Sequence, residues 1–187
     1  MFKIIKMKFL KFRTIIPILA FFIFASCGNA QQNAHQSTAT PAQATSTYHA
    51  ENPGWLVKME EAYALSKKLN KPIMANFTGS DWCGWCKRLT ASVFSQDEFK
   101  KWAEKNVVLL ELDFPRMKQL PDEIRNQNAG LQQAFQVSGY PTVWVFDLEF
   151  DKTTNKFNII PLGQTGYRAT VAEFTSGVDQ FLAKRKG

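Results

Sequence analysis

The stretch Trp82-Cys83-Gly84-Trp85-Cys86-Lys87 lies between an apolar, strand-like run at residues 73–77 and a helix-like segment. It contains the only two cysteines beyond the first 27 residues. Two thiols separated by two residues at the start of a helix can close a small disulfide ring. The unpaired backbone N–H groups at that end of the helix favour a thiolate at Cys83 over a neutral thiol. The stretch therefore predicts a redox-active dithiol.

From Pro53 onward, helical and extended patterns alternate along the chain. Apolar spacing and turn residues predict helices at residues 55–70, 83–91, 95–106 and 122–135, with a last helix opening at Thr170. Short apolar runs predict strands at residues 73–77, 107–112, 142–146 and 157–161. The stretches Ser95-Gln96-Asp97-Glu98 and Thr170-Val171-Ala172-Glu173 have the order of a capping box. This order of elements predicts an α/β layer fold with a mixed sheet.

The first 26 residues have the features of a secretory signal peptide. Five Lys and Arg residues precede an apolar run at residues 15–24, which is interrupted once by Pro17. This run is too short for an ordinary transmembrane helix, which needs about 20 apolar residues. We therefore expect residues 1–26 to direct export and to be removed.

The end of this leader, Phe24-Ala25-Ser26-Cys27, resembles the lipobox of bacterial lipoproteins, where the cysteine is diacylated and becomes the new N-terminus. Phe24 stands where the lipobox usually has Leu. The alternative is cleavage after Ala30 by the ordinary signal peptidase, which would give a soluble exported protein. Cysteine parity favours lipidation of Cys27, because an odd free thiol is a hazard in an oxidising compartment.

Residues 27–50 are rich in Gln, Ala, Ser, Thr and Asn and show no apolar periodicity. Such a segment cannot bury enough surface to fold, so it predicts a flexible linker before a domain at residues 51–187. The net charge of +7 belongs mostly to the leader, since residues beyond the first 26 carry 18 basic and 16 acidic side chains. We therefore expect no nucleic-acid partner, and membrane contact only through the lipid on Cys27.

A second motif, Gly139-Tyr140-Pro141-Thr142, follows the dithiol some fifty residues later. With the dithiol stretch, it resembles the thioredoxin superfamily over roughly residues 52–185. Residues 76–83 and 111–116 are similar to exported bacterial thioredoxin-like proteins, a group similar to the periplasmic domain of the membrane electron-transporting disulfide reductase. The resemblance implies a thioredoxin fold, in which a central mixed sheet is flanked by helices and a cis-proline loop at Pro141 lies beside the dithiol.

The chain departs from the family pattern at two places. Thioredoxin carries a buried acid on the strand before its active site, and the matching position here, with one inserted residue, is Asn76. The proton-handling role of that acid therefore cannot be assigned to Asn76. The dipeptide between the cysteines is Gly84-Trp85 instead of Gly-Pro or Gly-His, so the family's redox potential does not carry over.

Thiol–disulfide exchange needs an accessible thiolate and a second thiol that resolves the mixed disulfide. Cys83, nearer the helix terminus, is the expected nucleophile, and Cys86 the resolving thiol. An inert structural disulfide is the alternative, although so short a loop gains little from a cross-link. A zinc site would need a second ligand pair, and c-type haem would need His in place of Lys87, so we expect no metal and no cofactor.

Neighbouring side chains are predicted to support the dithiol. Lys87 is four residues after Cys83, so its charge could stabilise a thiolate, or it could be a solvated surface lysine. Asp81 would raise the thiol pKa unless it caps the helix, and the sequence leaves this open. If Pro141 is cis as the family match implies, then Tyr140, Trp82 and Trp85 would form an apolar rim that docks extended polypeptide.

These observations predict an exported, lipid-anchored, periplasmic enzyme that exchanges disulfides with protein substrates. The resemblance favours reduction or isomerisation, with a membrane protein as the electron donor. Two alternatives remain at this point: a dithiol oxidase, and a binding module or holdase that keeps the fold with little turnover.

Overall fold

The computed structural model describes residues 48–185. The predicted signal peptide, Cys27 and most of the predicted linker lie outside the described residues. Within residues 48–185, no helix combines the length and the apolarity that crossing a membrane requires. Tyr48 and Ala50, at the end of the predicted linker, are half-buried, and Ala50 packs against the core of the domain.

Four strands form one mixed sheet, in the order β2-β1-β3-β4. They are β1 (Ile73–Thr78), β2 (Val108–Asp113), β3 (Thr142–Asp151) and β4 (Lys156–Thr165). Strand β1 is parallel to β2 and antiparallel to β3, and β4 pairs antiparallel with β3 at the edge. The helices are α1 (Met59–Leu69), α2 (Gly84–Leu89), α3 (Asp97–Asn106), α4 (Asp122–Ala134) and α5 (Val171–Leu182). The predicted α/β fold with a central mixed sheet and flanking helices is confirmed.

The sheet separates two apolar layers, because alternate side chains of a strand point to opposite faces. Met74 of β1 and the apolar residues of α2, α3 and α5 form one layer, with Phe94, Phe99 and Phe174 among its largest side chains. On the other face, Ile73, Ala75 and Phe77 of β1 pack with α1 and Phe135. Every residue of β1 is buried, so the strand that leads to the dithiol is the centre of the domain.

The first helix begins at Met59, so the prediction that it starts at Trp55 is wrong. The backbone of Leu56 is extended and pairs with Leu110 as an isolated parallel bridge at the edge of β2. Trp55 is buried against Phe94, with 4.9 Å between ring centroids. The apolar spacing correctly indicated burial, but edge pairing with β2 overrides helix formation there.

Of the two predicted capping boxes, the Thr170 box forms in part, because the Glu173 carboxylate accepts the Ala169 N–H at 3.2 Å in place of the Thr170 N–H. The Thr170 hydroxyl accepts a hydrogen bond from the backbone N–H of Glu173 at 3.2 Å, which caps α5. The Ser95 box is wrong, because Gln96 is the N-cap of α3 and no side chain caps it. Helix α2 continues as a π-helical segment, Thr90–Phe94, and the Ser95 N–H donates to the Thr90 carbonyl at 2.8 Å. Ser95 therefore ends one helix instead of opening the next.

A buried carboxylate fastens the segment before α1 to the sheet. Glu111 of β2 is 1% exposed and accepts hydrogen bonds from the Glu51 N–H at 2.6 Å and from the N–H and side-chain amide of Asn52 at 3.1 and 2.5 Å. Burial raises the pKa of Glu111 above its ordinary value, although the hydrogen bonds from Asn52 and Glu51 oppose this. The three hydrogen bonds therefore offset part of the cost of burying this carboxyl group.

Replacing Glu111 with Ala should lower the free energy of unfolding by about 2 kcal/mol, because the buried donors of Asn52 lose their acceptor. Urea denaturation followed by tryptophan fluorescence measures this loss. Glu104→Ala is the matched control, because the Glu104 side chain is exposed on α3 and its loss should change stability by less than about 0.5 kcal/mol. Equal stability of the two variants would contradict the anchoring role of Glu111.

Candidate active site

The dithiol lies where the chain passes from β1 into α2. Cys83 is the N-cap of α2, with extended backbone, and its sulfur accepts a hydrogen bond from the Cys86 N–H at 3.2 Å. Cys83 and Cys86 form a disulfide, so the structure is that of the oxidised protein. The two residues are 6% and 3% exposed, respectively. On reduction, the Cys86 N–H and the helix terminus would face a thiolate at Cys83 and stabilise it.

Lys87 contacts the loop before the helix. Its ammonium group donates a hydrogen bond to the backbone carbonyl of Asp81 at 2.9 Å, and its side chain is exposed. This contact ties the first turn of α2 to residue 81. Of the two interpretations that the sequence left open for Lys87, the exposed position agrees with a surface lysine, and its hydrogen bond adds a structural contact.

Asp81 binds a neighbouring loop and does not cap α2, since Cys83 fills the N-cap position. Its carboxylate accepts hydrogen bonds from the backbone N–H groups of Arg116 and Met117, at 3.0 and 2.7 Å. Partial desolvation raises the pKa of Asp81, but the N–H donors of Met117 and Arg116 outweigh it and hold the pKa below its ordinary value. Asp81 is therefore ionised at neutral pH.

Asp113, at the end of β2, binds the loop between β1 and α2. Its carboxylate accepts hydrogen bonds from the Ser80 N–H at 2.9 Å and from the Ser80 hydroxyl at 2.6 Å. Its side chain is fully buried, and the Lys118 ammonium group lies 3.1 Å away. Burial lowers the pKa of Lys118, but the Glu51 and Asp113 carboxylates outweigh it and raise the pKa above its ordinary value. A charged lysine thus compensates the buried carboxylate beside the active-site loop.

Trp82 and Trp85, the residues directly before the two cysteines, each pack against a tyrosine. Trp82 is 36% exposed, donates its indole N–H to the Phe114 carbonyl at 2.8 Å, and packs edge-on against Tyr140, 5.8 Å away. Trp85 is 54% exposed and packs against Tyr167, with 4.9 Å between ring centroids. The structure therefore joins Tyr140 to Trp82 and Tyr167 to Trp85, the two tryptophans that precede the cysteines in the chain. We call these four residues the aromatic rim.

The absence of a side chain at Gly79 allows Trp82 to take this position. A Cβ atom at residue 79 would lie 2.5 Å from the Trp82 indole, which is closer than non-bonded carbon atoms approach. The indole therefore rests directly on the backbone of the loop that follows β1.

Pro141 directly precedes β3. The Tyr140–Pro141 peptide bond is cis. The next residue, Thr142, pairs with Phe77 near the carboxyl end of β1, and the dithiol follows that end. Tyr140 stacks on Phe114 at 5.2 Å. Burial, and next the charge of Asp113, raise the pKa of Tyr140 above its ordinary value, so its hydroxyl stays protonated at neutral pH.

Asn76 occupies a buried position in β1, in register between Glu111 of β2 and Val143 of β3. The residue is 2% exposed, and its side-chain carbonyl oxygen has no hydrogen-bond partner within residues 48–185. Asn76 cannot exchange a proton at neutral pH, so the structure supplies no ionisable group at that position. The described part of the chain also contains no cluster of three or more His, Cys, Asp and Glu residues that could hold a metal ion.

Sequence reasoning missed Tyr167, Phe114 and Arg116 as parts of this site. Phe114 and Arg116 follow the buried strand β2, and the end of a buried strand near a predicted site is the signal that could have indicated them. Tyr167 follows β4, whose end lies far from the dithiol in sequence, so no local pattern could have found it.

Comparisons with known proteins agree with this geometry. The family described as a thioredoxin-like domain matches residues 59–153. The disulfide bond reductase DsbH of Chlamydia pneumoniae is 35% identical over 111 residues, which are 59% of this chain and 66% of that protein. The thioredoxin-related protein DsbJ of the same organism is 30% identical over 87 residues, 46% of this chain but only 25% of DsbJ.

A solved structure of a DsbH oxidoreductase superposes with a TM-score of 0.60 at 30% identity. The match covers 86% of this chain and 96% of that chain. The matched family, the shared fold and the paired cysteines at the start of α2 agree with the resemblance found in the sequence. The chain therefore belongs to the thioredoxin superfamily, among the thiol–disulfide oxidoreductases of the DsbH type.

Proposed function

We propose that this protein catalyses thiol–disulfide exchange on protein disulfides, in the direction of reduction or isomerisation. The observation that carries the proposal is the position of Cys83 at the N-cap of α2, where its sulfur accepts the Cys86 N–H. A disulfide that only stabilised the fold would need neither this helix terminus nor two exposed tryptophans next to the cysteines. The curated relative DsbH is named as a disulfide bond reductase, which supports the same chemistry and direction.

In the proposed reaction, the protein begins with both cysteines reduced. The Cys83 thiolate attacks one sulfur of a substrate disulfide, forms a mixed disulfide and releases the other substrate sulfur as a thiolate, which takes up a proton. Cys86 then loses its proton and attacks the Cys83 sulfur, which releases the second substrate thiolate. Two electrons pass to the substrate, and the Cys83–Cys86 disulfide is formed, as seen in the structure.

The environment of the dithiol supports the reducing direction. A strong oxidant needs unusual stabilisation of its reduced thiolate. Within residues 48–185, the hydrogen-bond donors at Cys83 are the Cys86 N–H and the helix terminus. Lys87 is bonded to the Asp81 carbonyl, and the Arg88 and Arg116 guanidinium groups lie over Trp85 and Trp82 instead of bonding to the sulfur. The ionised carboxylate of Asp81 lies on the same loop and acts against a thiolate. The two cysteines carry the electrons themselves, so the proposed reaction requires no cofactor.

The proposed location of the protein is the periplasm, where a lipid anchors it to a membrane. Residues 1–26 would direct export, Cys27 would carry the lipid, and residues 27–50 would link the anchor to the domain. The oxidised protein would need re-reduction in the periplasm, where soluble reductants are scarce, so we propose a membrane electron donor. The nearly balanced charge beyond the leader gives no reason to propose a nucleic-acid partner.

A Cys86→Ser variant should accumulate mixed disulfides with other proteins when it is expressed in an exporting bacterium. The reason is that Cys83 can still attack but nothing remains to resolve the intermediate. Non-reducing gels followed by blotting, with free thiols blocked on lysis, measure the trapped species. Cys83→Ser is the matched control and should trap little.

Equal trapping by the two cysteine variants would contradict the assigned roles. If Cys86→Ser traps no partner, and if a strain that carries Cys83→Ser grows as well as the wild type, a binding module or holdase with little turnover would be favoured.

Expression in a bacterium with lipoprotein machinery should give a protein that incorporates labelled fatty acid and partitions into detergent. Cys27→Ala should lose both properties, because the acylated thiol is absent. Mass spectrometry of the mature N-terminus provides the independent check. A terminus at Gln31 without lipid would show that the ordinary signal peptidase had cleaved after Ala30, and the anchor would then be rejected.

A further inference from the structure

Two arginine side chains lie over the exposed tryptophans of the aromatic rim. The guanidinium carbon of Arg116 is 3.7 Å from the centroid of the Trp82 ring, and that of Arg88 is 4.7 Å from Trp85. A guanidinium group over an indole face gains cation–π attraction and leaves N–H groups at its edge for a second partner. The dithiol is therefore bordered by two Trp–Arg pairs.

These arginines have no carboxylate partner within residues 48–185. The ion pairs of the described part of the chain involve Lys58, Lys100, Lys118, Arg125 and Arg185. In the same part of the chain, Lys87 also lacks a carboxylate partner, and its ammonium group bonds to a backbone carbonyl. The surface beside the disulfide thus carries uncompensated positive charge at Arg88, Arg116 and Lys87.

The one carboxylate on the same loop does not neutralise this charge by pairing with it. Asp81 directs its oxygens to the backbone N–H groups of Arg116 and Met117. These bonds fix the backbone of Arg116 while its side chain extends over Trp82. Asp81 is therefore a positioning residue for Arg116, and the Arg116 guanidinium group remains available to a carboxylate from outside.

We propose that the preferred protein partner presents an extended segment with Asp or Glu on both sides of its reactive cysteine. This inference rests on the proposed function and adds the chemistry of the partner. A planar guanidinium binds a carboxylate through two parallel N–H bonds, and the neighbouring indole excludes water from that contact. Charge of opposite sign also speeds the encounter of the two surfaces.

The size of the preference for an acidic partner follows from the strength of exposed ion pairs. Each exposed ion pair changes a rate by a small factor. With two such pairs, the exchange rate with an acidic partner should exceed that with a basic partner by about threefold to thirtyfold. The ratio of these two rates should fall by more than half in 0.5 M salt, because the ion pairs are exposed and salt screens them.

Three disulfide-bonded peptides test the proposal. They share one sequence and carry Glu, Gln or Lys at the positions flanking each cysteine. The full-length protein, reduced beforehand, is mixed with each peptide, and the rate is followed by tryptophan fluorescence. Each rate is divided by the rate of the same peptide with dithiothreitol, which removes the effect of the flanking charges on the peptide disulfide itself. The normalised rates should fall in the order Glu, Gln, Lys.

The double variant Arg88→Gln/Arg116→Gln should lose most of this preference. Lys68→Gln/Lys105→Gln is the matched control, since it removes the same charge from the last turns of α1 and α3, near the amino end of β1 and away from the dithiol. The control should keep the ratio of the Glu to the Lys peptide. Urea denaturation of both variants verifies that they are folded.

Equal normalised rates for the three peptides, or a preference for the Lys peptide, would overturn the proposed partner chemistry while the proposed exchange activity stands. A preference that survives in the arginine double variant would also overturn it. Failure to reduce any of the peptides would instead contradict the proposed function.

Discussion

The hydrogen bonds from Ser80 to the buried carboxylate of Asp113 are the constraint on which the site depends. Strand β1 ends at Thr78, and five residues later Cys83 must stand at the N-cap of α2. Asp113 closes the loop from the end of the neighbouring parallel strand, and the Lys118 ammonium group compensates its charge. Asp81 then joins this loop to residues 116–117 on its outer side. The carboxylates of Asp113 and Asp81 therefore fix the loop between β1 and α2. This loop sets the positions of the disulfide and Trp82 relative to Arg116.

The fold and the dithiol could be predicted from sequence because their signals are local. Strand β1 is a short apolar run, and Cys83 and Cys86 sit at a helix start, so spacing alone placed both. The start of α1 could not be predicted, since pairing of Leu56 with β2 is a contact over more than fifty residues. The residues that donate hydrogen bonds to the Asp81 and Asp113 carboxylates are 33 to 36 residues away in sequence, so no pattern within a helix or strand could reveal them. The contact of Tyr167 with Trp85 also joins residues that are far apart in sequence, so it could not be predicted either.

The chemistry of the site results from a balance of weak effects around one sulfur. The helix terminus and the Cys86 N–H favour a thiolate at Cys83, whereas the ionised Asp81, two residues earlier in the chain, opposes it. The Arg88 and Arg116 guanidinium groups lie over Trp85 and Trp82 and do not bond to the sulfur. Lys87 contributes its hydrogen bond to a carbonyl instead of pairing with a carboxylate. Asn76 brings no ionisable group into the buried layer under the site, so its amide cannot take or give the proton that a family acid would handle. This balance predicts a moderately lowered pKa for the Cys83 thiol and a dithiol that readily gives up its electrons.

The most direct test of this account is the reduction potential of the Cys83/Cys86 couple. Equilibrating the purified protein against mixtures of reduced and oxidised glutathione, with the two redox states separated after acid quenching, measures it. We expect a value near the reducing end of the family range, about −270 mV, because within residues 48–185 the Cys83 sulfur accepts a hydrogen bond from the Cys86 N–H alone. A value near −120 mV, which is typical of a strong oxidant, would contradict the reducing direction and assign the protein to dithiol oxidation.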